Sequence, residues 1–69
     1  MFAVYSANHQ QPELRDWYRT QADAEAALPD FRRVDREIAG REDEEYYVVE
    51  LADAEVAFYR AAGFRGTGE

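Results

Sequence analysis

The sequence predicts an α+β domain of element order ββαβα: a three-stranded antiparallel sheet of order 2-1-3 packed against a long kinked helix and a short C-terminal helix. Three observations lead there. A chain of 69 residues supports one hydrophobic core and no more. Three segments, FAVYSA, LRDWYRT and EYYVVEL, carry the aromatic and β-branched residues that suit a pleated, half-buried surface. Two others repeat apolar residues at helical spacing and run into a glycine.

The first strand, Phe2 to Ala7, has apolar or small residues on both faces and so belongs at the centre of a sheet. NHQQPE reads as a loop because Pro12 cannot donate to a ladder, and Leu14 to Thr20 follows as a strand whose arginines suit an edge. Thr20 stands where it caps a helix through the amide of Asp23. In that helix Ala24, Ala27, Leu28, Phe31, Val34 and Ile38 form one stripe, and Pro29 points away from it. A single helix from about Gln21 to Ala39, kinked at Pro29 and stopped by Gly40, accounts for the segment.

Glu45 to Leu51 is the third strand, and pairing it with strand one keeps that doubly apolar strand in the middle. DAEVAFYRAAGF gives the second helix, with Asp53 as its cap, Gly63 in the left-handed terminating position and Phe64 folded back on the last turn. The domain is thus expected to span 1–64, with the tail RGTGE, 65–69, frayed. Trp17-Tyr18 and Tyr46-Tyr47 each place one aromatic on the side away from the long helix, where it anchors a protein contact or a cross-strand pair.

Composition removes several function classes. There is no cysteine, hence no disulfide and no thiolate metal site. MFAVYSAN has neither a basic region nor a long apolar run, and no stretch approaches the roughly 18 apolar residues that span a bilayer, so the expected location is the cytoplasm. A net charge of −7 opposes direct binding to nucleic acid or to an anionic membrane surface.

Residue types that carry catalysis are present without their partners. His9 is the lone histidine, Ser6 sits mid-strand outside any nucleophile elbow, and the glycines at 40, 63, 66 and 68 form no phosphate loop. Paired carboxylates need a water-excluding pocket, for which so short a chain leaves little room, and EDEE lacks the alternating ligands and glycine of a calcium loop. No catalytic, cofactor or metal residue is assigned, and an enzyme is not expected.

The position of the charge is more informative than its sum. Residues 35–55 hold nine acids against two arginines, while 1–34 hold five against four and 56–69 one against two. A solvated turn whose acids guard an aggregation-prone YYVVEL strand would explain part of this. Acids at the C-terminal end of a helix nevertheless oppose its dipole, at about 0.3–1 kcal/mol each, and a fold that tolerates them is available to use their field. The candidate partner-binding residues are Asp35, Glu37, Glu42, Asp43, Glu44, Glu45, Tyr47 and Glu50.

A short, cysteine-free, acidic α+β chain carrying REDEEYY resembles the phage-encoded inhibitors that mimic the charge of DNA, among them anti-CRISPR proteins that block the DNA-binding groove of a Cas surveillance complex. The resemblance implies a monomeric, non-enzymatic inhibitor, acting in the cytoplasm of a host cell if phage-encoded. Its partner would be a basic groove that normally holds nucleic acid, with Glu42, Asp43, Glu44, Glu45 and Glu50 standing in for phosphates. The alternative is a small regulatory or structural interaction module, antitoxin-like or a subunit, that binds through the sheet face or a strand edge. Loss of binding on Trp17→Ala or Tyr47→Ala with little salt dependence would mark that class.

Overall fold

Alternation along β1 (Phe2–Ser6) divides the molecule into two half-cores. Ala3 and Tyr5 face one side, and Phe2, Val4 and Ser6 the other. The computed structural model describes residues 1–7, 12–41 and 44–69. Within them the order is β1, β2 (Glu13–Tyr18), α1 (Gln21–Glu37), β3 (Tyr46–Glu50) and α2 (Asp53–Ala61). The sheet is antiparallel throughout, in the expected order β2-β1-β3. The loop 8–11 with His9, and the acids Glu42 and Asp43, lie outside the described residues.

The two helices cover opposite faces. Ala3, Trp17, Leu51 and Val56 form a buried cluster on the α2 side, with Met1, Tyr5, Leu14, Tyr59 and Phe64 packed around it. Trp17 is wholly buried there, edge-on to Phe64 at 4.6 Å and to Tyr59 at 6.4 Å. This corrects the expectation of an exposed aromatic on the far side of β2, because α2 and the C-terminal segment bury that ring.

On the other face, the Thr20 hydroxyl accepts from the Asp23 amide at 3.1 Å and starts α1 as expected. The buried line then runs through Ala24, half-buried Leu28 and Phe31, and Asp35. Val34 and Ile38 lie off it, and Ile38 is 81% exposed. The expected stripe therefore turns away from the sheet in the last two turns, because Asp35, rather than an aliphatic residue, faces inward. Gly40 (φ +67°) and Gly63 (φ +96°) take the left-handed conformation at the two helix ends. Asp53 proves to be the first residue of α2, not its cap. The flanking residue is Ala52, whose N–H donates to Glu55 Oε1 at 3.1 Å.

The tail expected to fray is instead held against β2. Gly68 makes a parallel bridge to Tyr18, and the Thr67 amide and hydroxyl both donate to the Asp16 carboxylate, the amide at 2.8 Å. Glycine is needed for this approach. A Cβ at Gly66 would lie 1.9 Å from Trp17 Cδ1, and one at Gly68 2.3 Å from Tyr18 Cδ1. The edge of β2 is thereby covered, while among the described residues no strand pairs with the outer edge of β3.

Candidate functional site

The sequence singled out eight residues, and the structure describes six of them. Glu37, Glu45, Tyr47 and Glu50 are exposed, whereas Asp35 and Glu44 are buried. Glu42 and Asp43 lie outside the described residues.

Asp35 is withdrawn from the surface by a specific partner. A register shift between Val4 and Tyr5 leaves Arg15 as an extra residue in β2, and its guanidinium reaches α1, donating to both Asp35 carboxylate oxygens at 2.9 Å. The Tyr46 hydroxyl donates to the same carboxylate and lies 3.2 Å from the Phe31 carbonyl. Arg15 also stacks over the Phe31 ring at 5.2 Å. The Arg15 guanidinium holds the Asp35 carboxyl below the ordinary carboxylate range, against the opposing effect of burial. Burial, and then the bond to Asp35, push the Tyr46 hydroxyl up to about 12. This is an internal clamp between sheet and helix, and its charge is spent within the molecule.

The exposed acids do not share one face. Alternation puts Glu50 with Tyr46 and Val48 on the α1 side of β3, and Glu45 with Tyr47 and Val49 on the α2 side. On the α2 side aromatic residues run across the sheet to the helix. Tyr47 stacks on Tyr5 with centroids 5.6 Å apart, and the Tyr5 and Tyr59 hydroxyls are 3.2 Å apart. Burial first, then this bond to Tyr59, raise the Tyr5 hydroxyl well above its ordinary value.

At the end of the row Phe58, 69% exposed, packs edge-on to Tyr59 at 5.6 Å. Ala54, Glu55, Phe58 and Tyr59 line an open hollow of about 250 Å³ there. Acids border the row, with Glu45 just before β3 and Asp53 and Glu55 in the first turn of α2. Tyr47 (38% exposed), Val49 and Phe58 are the apolar part of this surface. The sequence flagged Tyr47 but not Phe58, since FYR in a short amphipathic helix does not reveal which aromatic the sheet will cover.

Among the described residues no group of three His, Cys, Asp or Glu side chains is placed to hold a metal ion. Ser6 is buried in β1, and its hydroxyl has no hydrogen-bond partner among them. No helix there is long and apolar enough to cross a membrane. No family model, no curated protein and no solved structure matches the chain.

Proposed function

We propose that this chain is an acidic, non-enzymatic protein-binding inhibitor whose target is a basic, nucleic-acid-binding groove on another protein. One observation carries the reading. The α2-side face of β3, whose outer edge has no partner strand among the described residues, presents half-exposed Tyr47 and Val49 beside the exposed acids Glu45 and Glu55. Tyrosine supplies rigid contact area at low entropic cost, and the surrounding carboxylates favour a basic partner over another acidic surface. With Asp35 and Glu44 buried, the exposed phosphate-like charge among the described residues of 35–55 falls to Glu37, Glu45, Glu50, Asp53 and Glu55.

The test is displacement of DNA from basic grooves, Cas surveillance complexes first. The wild-type chain is expected to displace DNA with an effect that falls steeply between low and high salt. Reversal of Glu45 and Glu50 to arginine is expected to abolish it while circular dichroism stays unchanged. Undiminished displacement by that variant would sink the proposal.

The open β3 edge favours a second reading, an interaction module of the antitoxin or subunit kind that accepts a partner strand there. In that case Tyr47→Ala abolishes binding, salt has little effect, and reversal of the two acids is tolerated.

A further inference from the structure

We propose a second, independent site: a basic pocket at the C-terminal end of α1 that binds one phosphate group. Arg32, Arg36, Arg41, Glu44 and Tyr46 line a hollow of about 110 Å³. Three arginines line it in a chain whose net charge is −7.

The local fold explains this grouping. Arg32 and Arg36 are four apart on α1 and so share a face. Gly40 in its left-handed conformation turns the chain back, and the Arg41 amide donates to the Asp35 carbonyl at 2.8 Å, bringing Arg41 over the same helix end. Tyr46 forms a wall, with Arg32 stacked 5.7 Å from its ring centroid.

Three of the other five arginines already have a carboxylate partner. Arg15, Arg33 and Arg60 pair with Asp35, Asp30 and Glu69. Among the described residues Arg32, Arg36 and Arg41 are in no ion pair. Among the described residues, three arginines against one lining carboxylate, Glu44, leave a charge of +2, which complements a phosphate monoester dianion. The Asp35 charge is already answered by Arg15, and the opposing dipole at a helix C-terminus amounts to about half a charge. The pocket holds one tetrahedral anion and not a nucleoside, and the overall charge opposes a polyanion such as nucleic acid. The phosphate is therefore that of a small molecule or of a phosphorylated side chain.

The test is a titration with inorganic phosphate at constant ionic strength, followed by NMR of the arginine Nε–Hε groups. Saturable shifts are expected at Arg32, Arg36 and Arg41, with Arg33 unmoved. Arg36→Gln and Arg41→Gln should each weaken binding at least about tenfold, and Arg33→Gln should not. Glu42 and Asp43 stand between Arg41 and Glu44 in the chain, so the E42Q/D43N variant is included and should bind at least as tightly. A phosphoserine peptide that binds more tightly than inorganic phosphate assigns the site to a phosphorylated partner, and equal affinity assigns it to a free phosphate. Equal shifts with chloride, no saturable shift in the wild-type chain, loss of binding in E42Q/D43N, or an Arg33→Gln effect as large as that of Arg36→Gln would each overturn the proposal.

Discussion

Arg15 on β2 and Asp35 on α1 form a two-pronged ion pair, both N–O distances 2.9 Å, with the Asp35 side chain only 4% exposed. Removing one member strands the other in a poorly solvated site, whereas removing both does not. Arg15→Met should therefore cost about 3 kcal/mol, a large part of the stability of so small a domain, and Arg15→Met/Asp35→Leu should restore most of it. Urea unfolding followed by circular dichroism reads both variants. A loss below about 0.5 kcal/mol for Arg15→Met would place the pair among inconsequential surface bridges.

The same clamp sets a pH dependence at both ends. The folded-state pKa of Asp35 lies below its ordinary value of 3.8, so its contribution is complete above that pH and is lost as pH falls through the folded value. Tyr46 is raised from 10.0 to about 12, so its contribution is complete below pH 10 and is lost as pH rises through about 12. Asp35→Asn should flatten the acid limb of a plot of urea midpoint against pH. Tyr46→Phe should lessen the alkaline fall, leaving the part that Tyr5 contributes in the same direction. An unchanged acid limb in Asp35→Asn would assign acid unfolding to other carboxylates.

Legibility followed the range of the interaction. Thr20, Gly40, Gly63 and the alternation of FAVYS are local signals, and the elements they mark form where the sequence places them. The inward turn of Asp35 depends on a bulge at Arg15, twenty residues away, and LRDWYRT contains no signal for an inserted residue. RGTGE reads as a mobile tail from composition alone. Its glycines acquire meaning only once the Trp17 and Tyr18 rings lie beneath them. In the candidate site, exposure of Glu37, Glu45 and Glu50 was legible as charge, but the division of β3 acids between two faces required the strand register. The three-arginine pocket joins a helix to the residue after its stop, a juxtaposition that spacing along one element does not display.

The docked tail makes a prediction of its own. Gly66→Ala places a methyl group inside the Trp17 ring, and since the neighbour is a buried indole the tail must move instead. A loss of about 1–3 kcal/mol is expected, with a red shift of Trp17 fluorescence as water reaches the ring. Deletion of residues 65–69 should give the same shift. A Gly66→Ala protein with unaltered emission and unfolding midpoint would show that the tail contributes nothing to the burial of Trp17.

Glu45 and Glu50 flank β3, whose outer edge has no partner strand among the described residues. If two copies paired antiparallel along this edge, each end of the ladder would hold Glu45 of one copy and Glu50 of the other on opposite faces of the sheet, and charged side chains along an edge strand discourage such pairing. The acids that favour a basic partner therefore also discourage self-association. E45Q/E50Q is expected to form concentration-dependent dimers or larger species in light scattering, where the wild-type chain stays monomeric at low salt. High salt should move the wild-type chain in the same direction by screening the acids. A monomeric E45Q/E50Q protein at millimolar concentration would remove the guarding role and leave partner recognition as the reason for the two charges.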